Sequence, residues 1–285
     1  MTTTQQAPTT QDTAADRSGQ INTDVAALAA RPGIGEAWNQ TMGFASRALK
    51  KMRRQPEQFA DVAIQPILFT LMFGFIFGGA ISGDVAGYLP IMVPGILAMT
   101  CLTASMATGV QLREDMDTGV FDRFKTLPVA RIAPLAGPMV ADLLRYGIAA
   151  TLTFLAGIVM GYRPEGGFGG VLAAIVLVVI TGWSLSWAFA YVGTIVRSAQ
   201  GVQGISMMIL FPLTFLSNAF VPVETLPTWL QWFVNINPIS HVVSGVRDLA
   251  NTGTFTGEVG WALLGCAIVI GIFAPLAVKS YQRSQ

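Results

Sequence analysis

Six long apolar runs alternate with shorter polar segments along the chain, at residues 58–79, 88–110, 134–161, 170–196, 203–220 and 258–278. A helix needs about 20 apolar residues to cross a bilayer core of about 30 Å. The pattern therefore predicts an all-α, polytopic membrane protein with six transmembrane helices. The fifth run is short and contains Pro212, so we expect that helix to be kinked or incomplete.

The composition supports this interpretation and excludes a soluble domain. Hydrophobic residues make up 52% of the 285 residues, and charged residues make up only 12%, roughly half the usual share in soluble proteins. The mean hydropathy is +0.56. The formal net charge of +1 gives no reason to expect nucleic acid as a partner.

The distribution of basic residues predicts the orientation. Seven Lys and Arg residues precede the first span, four follow the second, one follows the fourth and two follow the sixth, whereas the opposite side holds only Arg163 and Arg247. Basic residues accumulate in cytoplasmic loops. We therefore expect a multi-pass protein of the cell membrane, with both termini in the cytoplasm.

The N-terminal region divides into two parts ahead of the predicted transmembrane domain, which covers residues 55–285. Residues 1–35 are rich in Thr, Gln, Ala and Asp, which predicts a disordered cytosolic tail. Residues 36–54 place Trp38, Met42, Ala45, Leu49 and Met52 at helical spacing beside basic residues that include Arg47 and Lys50. This pattern favours an amphipathic helix in the lipid headgroup layer; the alternative is a helix packed on a partner.

The loop 111–131 between the second and third spans contains a second amphipathic pattern. Val120, Phe121, Phe124 and Leu127 can share one helical face, and Pro128 ends the segment. A short helix that exposes two phenylalanines is suited to a groove on a partner protein. The alternative is a solvated connector whose basic residues only set the topology.

The segment 221–258 between the fifth and sixth spans is predicted to lie outside. Trp229, Trp232 and Phe233 are typical of a membrane interface, and Pro227 and Pro238 bracket them. We expect short re-entrant or surface helices here. The stretch "NPISHVVSGVRDL", which contains the only histidine, would then cap the external end of a pathway.

The sequence lacks the common signatures of catalytic sites. It has no GxxxxGK[ST], HExxH or GxSxG motif and no His/Cys cluster, so we expect neither an enzyme nor a bound metal or cofactor. Cys101 and Cys266 lie in apolar runs and are expected to be buried free thiols. Asp142 and Arg145, at i and i+3 in the third span, share a face and can pair; placement at the interface is the alternative.

The stretch from Leu210 to Arg247 resembles the signature of ABC-2 type permeases, the membrane subunits of ABC exporters. The matching positions are Leu210, Leu213, Leu216, Ser217, Ala219, Leu226, Pro227, Pro238, Ile239, His241 and Arg247. The loop 111–131 resembles most closely that of the daunorubicin-resistance-like permeases, with Glu114, Gly119 and Pro128 in place. Val120 stands where that family commonly has Thr.

This resemblance implies two permease subunits, expected to form a homodimer, working with two separate ATPase subunits that bind ATP and Mg²⁺. The ATPase would contact the interfacial helix through Trp38, Met42, Arg47, Leu49 and Lys50, and the loop through Glu114, Asp117, Gly119, Phe121, Arg123, Phe124 and Pro128. The external gate would comprise Leu226, Pro227, Pro238, His241 and Arg247. The expected cargo is an amphipathic or lipophilic compound such as a drug, an antibiotic or a lipid.

Three alternatives remain open at this point. A glycan or lipid-linked polymer exporter would favour aromatic residues along the pathway. An ion-coupled secondary transporter would need a titratable group buried in the membrane, with Asp61 and Asp142 as candidates. A membrane scaffold without transport activity would tolerate charges at Phe121 and Phe124.

Overall fold

The computed structural model describes residues 34–54, 56–118, 133–221 and 223–283. Over these residues the chain forms nine α-helices, one 3₁₀ turn (Val223–Thr225) and no β-strand. The helices are α1 (Ile34–Arg54), α2 (Pro56–Ser82), α3 (Val85–Asp117), α4 (Ala133–Val159), α5 (Gly167–Ile195), α6 (Ala199–Phe215), α7 (Thr228–Ile236), α8 (Pro238–Thr252) and α9 (Gly257–Arg283).

Five helices are long and apolar enough to cross a membrane: α2, α3, α4, α5 and α9. The chain is therefore an all-helical, multi-pass membrane protein. The fifth predicted span corresponds to α6, a shorter apolar helix of 17 residues that contains Pro212. The total of six spans and the cytoplasmic position of the termini stay predictions.

Helix α3 forms the centre of the bundle and packs against α2, α4, α5, α6 and α8. Met92, Ile96 and Leu97 are completely buried. At the crossing with α5, a Cβ atom added to Gly109 would lie 2.3 Å from the carbonyl oxygen of Phe189. Glycine is therefore required for the two backbones to come this close.

Helix α1 packs along α4 through Thr41 and Ala45, which are buried. A Cβ atom on Gly137 of α4 would lie 2.3 Å from the Cβ of Phe44, so the two helices are in close contact. Trp38 stays 61% exposed. The predicted amphipathic helix thus rests partly on its own chain, and its place in the headgroup layer remains a prediction.

The expected boundary between the second span and the loop 111–131 was wrong. Residues 111–117 continue α3, where an Arg113–Asp117 ion pair at i and i+4 supports the last turns and the Thr118 hydroxyl caps the Glu114 carbonyl at 3.0 Å. Glu114 and Asp117 therefore lie on the spanning helix. The other predicted contacts, Gly119, Phe121, Arg123, Phe124 and Pro128, lie outside the described residues, as do residues 1–33.

The segment after α6 contains two helices, α7 and α8, as the aromatic and proline pattern predicts. Asn237 caps α8, with its side chain accepting a hydrogen bond from the Ile239 amide at 2.9 Å, and Pro238 occupies the first turn. Gly253 ends the helix with a φ of 70°, which favours glycine. The re-entrant placement of this pair stays a prediction.

Candidate functional site

A cavity of about 310 Å³ lies between α2, α3, α4 and α6. It is placed toward the end of the bundle where α2, α4 and α6 begin and α3 ends. We call it the α3 cavity because most of its lining comes from that helix. The lining residues are Gln65, Thr100, Thr103, Ala104, Met106, Ala107, Val110, Gln111, Glu114, Arg145, Ala149 and Gln203.

A buried ion pair lies at the wall of the α3 cavity. The Arg145 guanidinium lies 3.1 Å from the Asp142 carboxylate, and both side chains are about nine-tenths buried. Arg145 also donates to the Ala104 carbonyl at 2.7 Å, and the Thr108 hydroxyl donates to Asp142 at 2.5 Å. The i, i+3 spacing that predicted a shared face thus joins α4 to α3, and each charge has a partner.

Tyr146 extends this network from α4 to α5. Its hydroxyl lies 2.6 Å from the Ser186 hydroxyl and 3.1 Å from that of Thr108, and all three side chains are buried. Gly182 makes room for the ring, since a Cβ atom there would lie 3.1 Å from it. The network therefore connects three helices, α3, α4 and α5, behind the α3 cavity.

The last turns of α3 connect to the turn between α5 and α6. Arg113 pairs with Asp117 and also donates to the Val196 carbonyl at 3.2 Å. The neighbouring Glu114 does not face the α5–α6 turn as Arg113 does. It is exposed and lines the α3 cavity. Movement at this end of α3 would therefore displace both the lining of the cavity and the α5–α6 turn.

A second cavity of about 210 Å³ lies at the opposite end of α3. We call it the aromatic cavity. Phe73 of α2 stacks on Phe220 with ring centroids 4.8 Å apart, and Phe215 lies 5.9 Å from Phe220. The remaining lining residues are Phe77, Ile81, Tyr88, Leu216, Ser217, Val221, Leu226, Leu230 and Val234. This cavity is mostly apolar, in contrast to the α3 cavity.

Close to the aromatic cavity, a proline breaks the hydrogen bonding of α3. Pro94 has no N–H, so the carbonyl of Pro90 loses its usual helical partner. The Asn251 amide of α8 donates to that carbonyl at 3.1 Å instead. Tyr162 in turn donates to the Asn251 side-chain oxygen at 2.5 Å. Burial raises the pKa of Tyr162, which keeps its hydroxyl protonated as a donor.

Arg247 completes the link between α8 and the first half of α3. Its guanidinium donates to the Asn218 carbonyl at 2.9 Å and to the Ile91 carbonyl at 3.3 Å. The Asn218 amide reaches the Ser244 hydroxyl at 2.7 Å. The segment after α6 is therefore held between α3 and α8, and this link is made largely by side chains bonded to backbone carbonyls.

The residues predicted as an external gate do not form one cluster. Leu226 lines the aromatic cavity, Arg247 belongs to the α3–α8 link, and Pro227 and Pro238 begin α7 and α8. His241 lies 2.6 Å from Glu258 of α9, where both side chains are partly exposed. Leu226 thus belongs to the segment after α6 that Arg247 bonds through Asn218, whereas His241 joins α8 to α9.

Sequence reasoning missed several polar residues of both networks. Thr108, Tyr146 and Ser186 are single polar residues within apolar spans, and nothing in their local pattern distinguishes them from other Thr, Tyr or Ser residues. For Asn251 and Tyr162 the sequence contains an indirect signal. Pro94 lies inside a predicted span, so one backbone carbonyl of that helix needs another donor. The sequence does not say which residue supplies it.

Comparison with known proteins gave a consistent result. The model of the family described as "ABC-2 type transporter" matches residues 39–250. The chain is 37% identical over 276 residues, 97% of each chain, to "Daunorubicin resistance ABC transporter permease protein DrrB1" of Streptomyces coeruleorubidus. It is 27% identical over 199 residues, 70% of this chain and 69% of the other, to "Doxorubicin resistance ABC transporter permease protein DrrB" of Mycobacterium tuberculosis.

Proposed function

Because the chain belongs to the ABC-2 type transporter family, we propose that it is the permease subunit of an ATP-driven exporter. A separate ATPase subunit would bind and hydrolyse ATP. Two permease subunits, expected to be identical, would combine with two ATPase subunits in the cell membrane. The cargo would be an amphipathic or lipophilic compound moved out of the cytoplasm.

The observation that carries this proposal is the arrangement of the two cavities along α3. The α3 cavity and the aromatic cavity lie at opposite ends, and Met92, Val93, Ile96 and Leu97 between them are completely buried. Cargo in one cavity cannot reach the other unless these helices move. Such an arrangement suits alternating access, in which ATP biases two states of the bundle.

The coupling to the ATPase would act on the end of α3. The predicted docking residues Phe121 and Phe124 follow this helix in the chain, and α1 packs on α4 beside it. A push on this end would reach the α3 cavity through Glu114 and the α5–α6 turn through Arg113. The same end would carry the remaining predicted contacts, which include Arg123 and Pro128.

The nature of the cargo is inferred from the cavities and from the names of the relatives. Two relatives are named for resistance to daunorubicin and doxorubicin. The α3 cavity combines amide, hydroxyl and aliphatic side chains, and none of its described lining residues is aromatic. A glycan held in this cavity would need aromatic faces for stacking, so a lipophilic compound with polar substituents fits the α3 cavity better.

An ion-coupled mechanism finds less support in the described residues. A carrier of protons needs a buried carboxylate that can gain and lose a proton during the cycle. Asp142 is buried, but it already pairs with Arg145 and accepts a hydrogen bond from Thr108. These partners favour a charge that stays in place, which suits a structural role.

Co-expression with the ATPase encoded beside this chain tests the proposal. We expect a stable complex that hydrolyses ATP and exports an amphipathic dye from inverted vesicles. Charging the predicted docking surface by Phe121→Asp with Phe124→Asp should abolish export and leave membrane insertion intact. A matched control is Phe168→Asp with Phe255→Asp, which charges two exposed phenylalanines near the opposite end of the bundle.

Two results would contradict the proposal, the first as a whole and the second in its docking surface. One is a chain that purifies without any ATPase and whose export follows a proton gradient. The other is normal ATP-driven export by the variant with charges at Phe121 and Phe124, which would remove the docking role while leaving the permease itself in place.

A further inference from the structure

The charges that line the α3 cavity do not balance. Two of its described lining residues are charged, Arg145 deep in the wall and Glu114 near the end of α3. The Arg145 charge is offset by Asp142 at 3.1 Å. Among the described residues, no basic side chain pairs with the Glu114 carboxylate. Over the described residues, the lining of the cavity therefore carries one uncompensated negative charge.

The neighbours of Glu114 on α3 point elsewhere. Arg113 is engaged by Asp117 and by the Val196 carbonyl. Asp115 lines a separate, much smaller cavity against α4, together with Leu135 and Met139. Glu114 is thus the acidic residue of this stretch that faces the α3 cavity. A carboxylate in a cleft with low-dielectric walls concentrates cations there.

The uncharged lining residues indicate what the rest of a suitable ligand would be like. Gln65, Gln111 and Gln203 line it, and no described residue hydrogen-bonds their side-chain amides. Met106, Val110 and Ala149 supply apolar wall. The Arg145 guanidinium lies 2.7 Å from the Ala104 carbonyl and 3.5 Å from the Thr108 hydroxyl. Thr108 precedes Glu114 by six residues, or about 9 Å along the helix, so the two charged residues line different levels of the cavity. A volume of about 310 Å³ is in the range of small-molecule sites.

We propose that the α3 cavity binds lipophilic cations and that Glu114 is the residue that meets their positive charge. This inference rests on the proposed function, because it names the class of cargo that enters the same cavity. The apolar walls would hold the body of the cation, and the glutamine amides would meet its polar substituents. Glu114 therefore acts as a specificity residue, in addition to its predicted place in the contact with the ATPase.

Binding of two matched ions tests this proposal. Tetraphenylphosphonium and tetraphenylborate have nearly the same size and shape and opposite charges. Both are measured by equilibrium dialysis on the full-length chain in phosphatidylcholine nanodiscs, with and without the ATPase, after subtraction of empty nanodiscs. We expect the wild-type chain to bind the cation better. Glu114→Gln should weaken cation binding by about fivefold, the effect of one partly exposed ion pair, and should strengthen anion binding.

Two further variants separate a direct contact from a general charge effect. Asp115→Asn removes the same charge from the adjacent residue, which faces the smaller cavity, and should leave cation binding unchanged. Glu114→Asp keeps the charge and should retain most of the binding. Equal affinity for both ions, an unchanged affinity in Glu114→Gln, or the same loss in Asp115→Asn would each overturn the proposal.

This experiment keeps the two proposals distinguishable. Assembly with the ATPase and ATP hydrolysis are measured on the same preparations, and their absence would argue against the proposed function only. Cation binding is measured on the permease with and without its partner, so the measured charge preference does not depend on assembly. A complex that exports the dye but shows no charge preference would refute the role of Glu114 alone.

Discussion

At each end of α3, a side chain from a neighbouring helix donates a hydrogen bond to an α3 backbone carbonyl, but the two donors differ in chemistry. At the α3 cavity, Arg145 donates to the Ala104 carbonyl while paired with Asp142. At the aromatic cavity, Asn251 donates to the Pro90 carbonyl, which Pro94 has left without a helical partner. Both side chains tie a neighbouring helix to the α3 backbone. The Arg145 link is charged and the Asn251 link is neutral, although Arg247 of α8 adds a charged donor at the Ile91 carbonyl.

Under the proposed export function, this contrast suits a pathway that admits polar groups at one end and is closed at the other. The charged link sits in the wall of a cavity that also contains glutamine and threonine side chains. The neutral link lies near the stacked rings of Phe73 and Phe220, and Arg247 of the same helix holds the segment after α6 through the Asn218 carbonyl. We interpret the first end as the part that accommodates cargo and the second as the part that closes the bundle.

The largest effect is expected from breaking the charged link. Asp142→Asn and Arg145→Gln each leave a buried charge without its partner, which costs about 3–5 kcal/mol. The double variant should cost at least about 1 kcal/mol less than the sum, because the two residues share one interaction. Thermal unfolding of the purified chain in nanodiscs, as a double-mutant cycle, measures this coupling, and strictly additive losses would show that the two residues do not interact.

A smaller effect is expected from the neutral link. Asn251→Leu removes the donor to the Pro90 carbonyl and leaves a part-buried backbone oxygen without its partner, which costs about 1–3 kcal/mol. The same measurement applies, with Asn235→Leu on the exposed face of α7 as the control. A loss no larger than that of the control would show that the proline break needs no partner from α8.

The smallest effect is expected at the pair between α8 and α9. His241 and Glu258 are 28% and 41% exposed at the side chain, and exposed pairs are worth at most about 1 kcal/mol. His241→Ala should therefore lower stability and vesicle export only slightly. Complete loss of export by a correctly inserted His241→Ala variant would instead show that this histidine takes a direct part in transport.

Much of the fold could be predicted because it depends on local pattern. Apolar runs long enough for a bilayer became α2, α3, α4, α5 and α9, and Pro212 marked the shorter α6. Asp142 and Arg145 met because residues at i and i+3 share a helical face. The boundary at residue 111 was wrong because a polar stretch at the end of a span can continue the helix when its own ion pair supports it.

The candidate site was less predictable, because its contacts join residues far apart in the chain. Asp142 meets Thr108 from 34 positions away, and Asn251 meets Pro90 from 161 positions away. Glu114 lines the cavity because α3 continues beyond the expected boundary and presents that face to α2, α4 and α6.

Hydrophobic period, segment length and motif spacing are properties of the sequence alone, and they were enough to predict the class of the protein, its approximate helices and its family resemblance. Tertiary packing decided which polar groups became partners and which of them face a cavity. Those outcomes depend on how each helix is rotated and where it crosses its neighbours, and close glycine contacts such as Gly109 against Phe189 set these crossings. Local periodicity carries no information about rotation between helices, so the same residues could have formed other pairs.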